Sequence, residues 1–249
     1  MISLGSVEAR NITSADISAN LNTVRQRLAA ACARAGRQAA SVALLTVSKG
    51  HPAETVCAAA AEGLTLFGEN RVQEARAKIG QCPGRLQWHL IGHLQSNKCR
   101  DAVHFFSMIQ SVDSLALARE INKWAEKSAK TMPVLIEVNV AGESSKFGYA
   151  PEKVLVELKE LNALPRIEVH GLMTVAPFAP DPEKVRPVFR RLRQLKGQCE
   201  DILGVPLAQL SMGMSGDFEV AVEEGATIIR LGSAVLGPRA APKAAAGDA

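Results

Sequence analysis

Short apolar runs alternate with stretches of helical periodicity along the chain, and this alternation repeats eight times. Apolar runs of this length, bounded by turn residues, are typical of strands that are buried on both faces, as in a parallel sheet. The eight runs are Ser41–Lys49, Leu64–Asn70, Leu86–Gly92, His104–Val112, Val134–Val140, Ile167–Thr174, Leu207–Gly213 and Thr227–Ser233. The alternation therefore predicts β-α units rather than an all-helical or an all-β fold.

The stretches between these runs place their apolar residues on one helical face. A first helix, which begins at Thr13 or Ser14 and ends at Gly36, precedes the first run. The others are Pro52–Glu62, Arg71–Ile79, Leu94–Val103, a helix starting at Asp113 or Ser114, a helix starting at Pro151, Pro182–Leu203 and Asp217–Glu224. Eight strands alternating with helices predict a single (β/α)₈ TIM barrel of the α/β class with an extra N-terminal helix, and an open doubly wound sheet is the alternative.

No change of composition and no long linker divides the 249 residues, so residues 1–249 are predicted to form one barrel domain. Residues 1–13 are interpreted as a leading segment, and residues 237–249, rich in Ala, Pro and Gly, as a frayed tail. Hydrophobic residues make up 47% of the chain and aromatic residues only 4%, so we expect a core packed with aliphatic side chains.

Charge and cysteine usage exclude several classes of protein. The 29 basic and 25 acidic residues are spread along the chain, and no dense basic block marks a nucleic-acid surface. The five cysteines are scattered and form no CxxC pair, which argues against a disulfide framework or a zinc site and for a cytoplasmic protein with reduced thiols. No apolar run is long enough for a signal peptide or a membrane span, so we expect no membrane partner.

Polar residues and glycines follow the strands of the predicted barrel, at the ends that face its mouth, where such barrels carry their chemistry. These ends are Lys49, Asn70, Gly92–Gln95, Ser111–Asp113, Asn139, Met173–Thr174, Ser211–Ser215 and Arg230–Ser233. Taken alone, Lys49 is better interpreted as the first solvated residue after a strand. The coincidence of polar groups at so many strand ends favours a functional mouth.

The last two strands end in the segments Ser211–Ser215 and Arg230–Ala234, which each contain a glycine and a serine. In barrels the loops after strands seven and eight often bind phosphate, because glycine lets backbone N–H groups approach and hydroxyls add donors. The residues that meet this need are Gly213, Ser215, Gly232 and Ser233. Ordinary turn chemistry is the alternative for each pair, but two pairs in the expected loops predict a phosphate site.

A lysine and a phosphate site at one mouth suggest that a phosphorylated carbonyl compound is held as a Schiff base. For this chemistry the Lys49 amine must lose its proton, which requires partial desolvation or a neighbouring cation. A sugar phosphate, as in a lysine aldolase, and the cofactor pyridoxal 5'-phosphate both meet the description. An inward Arg230 could contact the pyridine nitrogen of the cofactor, and its permanent charge would weaken the ring as an electron sink; an ion pair with a barrel carboxylate is the alternative.

Seven segments of the chain carry a resemblance to a known family. They are Leu45–Lys49, Phe67–Ala75, Trp88–Lys98, Asn139 through Ser145–Gly148, Gly171–Thr174, Leu210–Ser215 and Arg230–Ala234. Taken together, these segments resemble the pyridoxal phosphate homeostasis protein family, the YggS/PROSC-type proteins, almost end to end. Several are long, which makes the resemblance specific.

The resemblance implies a fold-type III pyridoxal 5'-phosphate (PLP) barrel, similar to the N-terminal domain of alanine racemase but without the second domain of that enzyme. It also implies the site residues: Lys49 forms the Schiff base, Arg230 faces the ring nitrogen, Asn70 lines the ring, and Met214, Ser215, Gly232 and Ser233 surround the phosphate. The implied function is intracellular PLP homeostasis without catalytic turnover. The implied partners are PLP and apo forms of PLP-dependent enzymes, and we expect a monomer.

The chain departs from the family pattern at two places. Gly50 and His51 stand where Thr-Lys often follows the lysine, which puts in doubt the role of a second basic residue at this turn in passing the cofactor on. Gly216 stands where an acidic residue is usual. The alternative function is a PLP-dependent amino-acid racemase or decarboxylase. The only tyrosine is Tyr149, so a racemase that uses a tyrosine base would have to use this one.

Overall fold

The computed structural model describes residues 12–239, in which eight parallel strands close into a barrel in chain order. The strands are β1 Ala43–Val47, β2 Leu66–Glu69, β3 Gln87–Leu90, β4 Met108–Val112, β5 Met132–Glu137, β6 Ile167–Met173, β7 Gln209–Ser211 and β8 Ile228–Leu231. The helices are α1 Ser14–Arg34, α2 Ala53–Ala61, α3 Val72–Ile79, α4 Cys99–Phe105, α5 Leu115–Lys127, α6 Pro151–Asn162, α7 Arg186–Leu203, α8 Phe218–Glu223 and α9 Ser233–Leu236. The predicted (β/α)₈ barrel is confirmed, and the open sheet is wrong because β1 pairs with β8.

The extra helix α1 begins where the sequence predicts, at a capping box. The Thr13 side chain accepts a hydrogen bond from the Asp16 backbone N–H, and the Asp16 carboxylate accepts from the Thr13 backbone N–H. Its buried face, which includes Leu21 and Val24, packs against α8 and α9. The helix therefore covers the seam where the last β-α unit meets the first.

Several element boundaries differ from the sequence prediction, and one short helix was not predicted. The fourth strand begins at Met108 rather than His104, because α4 continues through Phe105 and buries Cys99, Ala102 and Val103 on one face. The four-residue helix α9 directly follows β8 and is too short to give a periodic signal. The leading segment and the tail fall mostly on residues 1–11 and 240–249, outside the described residues, and the single domain over 1–249 stays a prediction.

Apolar side chains form two separate cores. The larger one lies between the strands and the helices. The smaller one fills part of the barrel interior and consists of Leu45, Val47, Met108, Leu135, Met173 and Ile228. The interior is narrow: a Cβ on Gly68 would overlap the Leu45 side chain, and a Cβ on Gly171 would overlap the Gln209 carbonyl oxygen. Polar side chains occupy other positions inside the barrel and extend toward its mouth.

Within residues 12–239 no helix combines the length and the apolar character needed to cross a bilayer. All five cysteines are free thiols.

Candidate functional site

The register of β1 and β8 brings Lys49 to the last loop of the barrel. Leu45 pairs with Arg230, and two residues further along each strand Val47 lies beside Gly232. A Cβ on Gly232 would lie 3.2 Å from the Val47 carbonyl oxygen, so this close approach of two strand ends favours glycine. Lys49, which follows β1 by two residues, is half-buried at this point.

The surroundings of Lys49 favour its neutral amine. Burial is the largest cause of a lowered pKa for Lys49, and the cations Arg239 and Arg230 lower this pKa further. The carboxylates of Glu69 and Glu74 oppose the shift. A lysine with a lowered pKa has a larger fraction of unprotonated amine at neutral pH, and only this form attacks a carbonyl carbon.

A buried lysine, Lys78 of α3, fixes the turn that carries Lys49. The Lys78 ammonium donates to the Ser48 carbonyl oxygen, the Glu69 carboxylate and the Glu74 carboxylate, each at 2.7 Å. Glu69 also accepts from the Ser48 hydroxyl at 2.7 Å, and Glu74 accepts from the Gly50 backbone N–H at 2.5 Å. The residues before and after Lys49 are therefore both held by one buried ion-pair network.

Arg230 begins a hydrogen-bonded chain that crosses the barrel interior from β8 to β3. The buried guanidinium donates to the Ser211 hydroxyl at 2.8 Å and to the Thr174 carbonyl oxygen at 2.7 Å. Ser211 donates to the Gln110 side-chain oxygen at 2.6 Å, and the Gln110 amide lies 2.8 Å from Nδ1 of His89. Since Gln110 uses its NH₂ group as donor, His89 Nδ1 accepts and the ring proton is on Nε2.

Arg230 and His89, the two ends of this series of hydrogen bonds, have different charges. Burial lowers the pKa of Arg230 to about 10, with Glu137 and Asp217 opposing, so the guanidinium stays charged at neutral pH. Burial lowers the pKa of His89 to about 4, so the imidazole is neutral. No carboxylate of residues 12–239 lies within ion-pair distance of Arg230, and its direct partners are neutral. The alternative of a direct ion pair with a barrel carboxylate is therefore wrong.

Glu137 is a buried carboxylate at the end of β5. Its Oε2 has no hydrogen-bond partner in the described part of the chain. Burial and the negative charge of Asp113 raise the pKa of Glu137 to about 7, with Arg230 opposing the shift. Glu137 is therefore a mixture of acid and carboxylate at neutral pH.

We predict that Glu137→Gln makes the protein more stable above pH 7. The folded-state pKa lies above the ordinary value of 4.5, so the native protein loses stability as pH rises from about 4.5 to about 7 and the carboxyl group must ionise while buried. Glutamine imitates the neutral acid, and the gain above pH 7 should be at most about 3 kcal/mol. Urea unfolding of both proteins from pH 5 to pH 8 measures it. A difference in unfolding free energy that does not change with pH would contradict this account.

The loops after β7 and β8 meet at the same mouth. The Ser215 hydroxyl accepts from the Ala234 backbone N–H at 3.3 Å and lies 3.4 Å from the Ser233 hydroxyl. The Met214 N–H is occupied, because it donates to Asp217 at 2.6 Å. The backbone N–H groups of Ser215 and Gly216 have no partner within residues 12–239. Free N–H groups and two hydroxyls form a set of donors suited to an anionic oxygen.

Comparison with known proteins agrees with this geometry. A family model described as "Alanine racemase, N-terminal domain" matches residues 12–240. A protein of Aquifex aeolicus named pyridoxal phosphate homeostasis protein is 44% identical over 88% of this chain and 96% of its own. The chain belongs to the pyridoxal phosphate homeostasis protein family. A family member from Pseudomonas aeruginosa, with the same name, is 39% identical over 90% of this chain and 96% of its own.

Solved structures of a similar protein support the membership. The structure of PipY from Synechococcus elongatus without PLP has a TM-score of 0.81 and 37% identity, and covers 89% of this chain and 100% of PipY. The structure of PipY described as having PLP bound has a TM-score of 0.78 at the same identity and coverage. The resemblance drawn from the sequence motifs is thereby confirmed at the level of family and fold.

Most of the site residues predicted from the sequence lie around one mouth. The barrel brings together Lys49, Arg230 and the loops after β7 and β8, which contain Ser215 and Ser233. Asn70 is half-buried directly after β2, and a Cβ on Gly92 would overlap its backbone, so this residue is held at the end of β2. Gly216, one of the two departures from the family pattern, is exposed with a free N–H group.

Sequence reasoning did not find three groups that shape the site. Lys78 had a signal, because it follows Glu74 at the i, i+4 spacing of a helical ion pair, but such pairs are usually exposed. Glu137 and Gln110 occupy inward positions of their strands, and only the closed barrel shows that they approach Arg230 and Ser211.

Proposed function

We propose that this chain binds PLP, with Lys49 as its point of covalent attachment, and that it serves intracellular PLP homeostasis without catalytic turnover. The observation that carries the proposal is the half-buried Lys49 amine. Its pKa is lowered by burial and by the positive charges of Arg239 and Arg230, and it follows the strand whose end, Val47, approaches Gly232 in the last loop. The names of the relatives and the PLP-bound structure of PipY support it.

The groups present fit the three functional parts of PLP. The cofactor supplies an aldehyde that reacts with amines, on a pyridine ring that can draw electrons from the attached carbon. Lys49 is the amine for the aldehyde, Arg230 is the donor for the ring nitrogen, and Asn70 is proposed to line the ring. The loop residues Met214, Ser215, Gly232 and Ser233 are proposed to surround the phosphate, with the free N–H groups after Met214 as donors.

The charge of Arg230 supports a holding role rather than catalysis. A guanidinium is permanently charged, and this one keeps its proton at neutral pH despite burial. A cation that faces the ring nitrogen disfavours protonation of that nitrogen, and an unprotonated ring is a weaker electron sink. The site is thus suited to bind an aldehyde and poorly suited to stabilise a carbanion.

The position of the only tyrosine also supports the absence of turnover. Tyr149 is buried in the core between strands and helices, and its hydroxyl donates to Glu157 of α6 at 2.9 Å. Burial and the neighbouring carboxylates raise the pKa of Tyr149 well above its ordinary value. A racemase that uses a tyrosine as its second base would therefore find none at this mouth.

Replacement of Arg230 by glutamine tests the proposed ring contact. Arg230→Gln keeps a hydrogen-bond donor but removes the charge, so PLP should still bind while the near-visible absorbance spectrum of the loaded protein changes. The matched control is Arg25→Gln on the exposed face of α1, which should leave the spectrum unaltered. A spectrum of Arg230→Gln identical to that of the unmodified protein would exclude the ring contact.

The proposed delivery of PLP to apo-enzymes requires a transfer experiment. The protein is loaded with PLP and mixed with an apo-enzyme in the presence of a trap for free PLP, and reactivation is compared with that by free cofactor. Reactivation that resists the trap supports direct delivery. Reactivation equal to that by free PLP would leave a reservoir, and steady turnover of amino acids in a substrate screen would instead identify a racemase or decarboxylase.

A further inference from the structure

The segment after β8 is anchored so that it returns to the mouth of the barrel. Val235 and Leu236 of α9 are buried, and the Asn20 side chain of α1 donates to the Val235 carbonyl oxygen at 3.1 Å. Gly237 then adopts a left-handed φ of +69°, which glycine tolerates without strain. The polypeptide turns at Gly237. Because α9 is anchored, the two residues that follow this turn are held near the barrel.

Arg239, which follows this turn, packs over the loop that carries Lys49. Its Cδ and Cγ atoms lie 2.9 Å and 3.5 Å from the position that a Cβ on Gly50 would occupy. Gly50 itself has a φ of +73° and donates its N–H to Glu74. The Arg239 side chain thus fills the space that would otherwise belong to a side chain at position 50.

Four charged residues act on Lys49, and none of them neutralises Arg239. Two are the cations Arg239 and Arg230 of β8. The other two are the carboxylates Glu69 of β2 and Glu74 of α3, which oppose their effect on Lys49. Both carboxylates are already paired with the Lys78 ammonium, at 2.7 Å. Arg239 makes no ion pair with any carboxylate of residues 12–239. An unpaired cation therefore lies beside a lysine whose carboxylate neighbours are occupied.

We propose that Arg239 is a positioning residue for the Lys49 site: packed over Gly50, its side chain brings a permanent cation from the C-terminal segment to the half-buried amine and increases the reactivity of that amine toward aldehydes. The proposal rests on the proposed function for its role in PLP binding. A nearby cation destabilises the ammonium form relative to the amine, which is the direction found for the pKa of Lys49.

The test measures the reactivity of Lys49 in the full-length protein from which any PLP has been removed. Trace labelling with acetic anhydride over a pH series, followed by peptide mass spectrometry, gives the pH of half-maximal labelling for Lys49, with the exposed Lys159 as internal reference. Arg239→Met keeps the bulk and removes the charge, so the midpoint for Lys49 should shift to higher pH. Arg239→Lys keeps the charge and should leave the midpoint near that of the unmodified protein.

Two results would overturn the proposal. A midpoint in Arg239→Met equal to that of the control Arg25→Gln would show that the charge does not act on Lys49. An equal upward shift in Arg239→Met and Arg239→Lys would assign the effect to packing rather than to charge. Because the labelling uses no PLP, a failure of this inference is distinguishable from a failure of the proposed function, which would appear as no uptake of PLP by the unmodified protein.

Discussion

Lys49→Ala should abolish covalent attachment of PLP and remove the near-visible absorbance band of the loaded protein after gel filtration. The expected loss is complete, because the half-buried amine with a lowered pKa is the nucleophile in this account and alanine has none. Absorbance spectra of both proteins after incubation with PLP and desalting measure the effect. The fold should persist, since the turn is held by Lys78 and not by the Lys49 side chain.

The matched control is Lys159→Ala, which removes an exposed lysine of α6. This variant should keep the full band, and circular dichroism should show that both variants are folded. A band of undiminished intensity in a folded Lys49→Ala protein would mean that PLP is attached to another lysine.

Lys78→Met should lower the free energy of unfolding by about 3–5 kcal/mol, the usual result when one partner of a buried ion pair is removed. The Lys78 and Glu69 side chains are only 8% and 0% exposed, so Glu69 would be left buried without its cation. Urea unfolding at pH 7 measures the loss. The turn from Ser48 to Gly50 would also lose its anchor, so PLP should attach more slowly to the variant.

A double variant, Lys78→Met with Glu69→Gln, separates the buried charge from the lost packing. Because the second change removes the uncompensated carboxylate, it should recover part of the stability lost by Lys78→Met. A loss of less than about 1 kcal/mol for Lys78→Met, as for an exposed ion pair, would contradict the structural role assigned to this lysine.

The barrel could be predicted from sequence because most residues of its strands are buried. The strand Met132–Glu137, for example, is apolar up to its last residue, and the helices between the strands show one-sided periodicity. The boundary between α4 and β4 could not be predicted, since His104 and Phe105 fit an apolar strand as well as the last turn of a helix. The local sequence pattern cannot distinguish the strand from the helical turn here, because tertiary packing decides between them.

The site could be predicted in part, because closed barrels place the ends of their strands at one mouth. This rule alone brought Lys49, Arg230 and Ser215 together from distant parts of the chain. The same rule could not predict Lys78, whose ammonium donates to Ser48 in the turn of a different β-α unit. Nor could it predict Gln110, which hydrogen-bonds to both Ser211 and His89 inside the barrel. Arg239 could not be predicted as part of the site, because its segment is rich in Ala, Pro and Gly and gives no sequence signal for its contact with Gly50.

Borohydride reduction followed by peptide mapping identifies the lysine to which PLP is attached. The full-length protein is incubated with PLP, treated with sodium borohydride to fix any carbon–nitrogen linkage, digested and analysed by mass spectrometry. We expect equimolar modification on the peptide that contains Lys49, with Lys78, Lys146 and Lys159 unmodified. Modification spread over several exposed lysines, or none at Lys49, would contradict the assignment of this mouth as the PLP site.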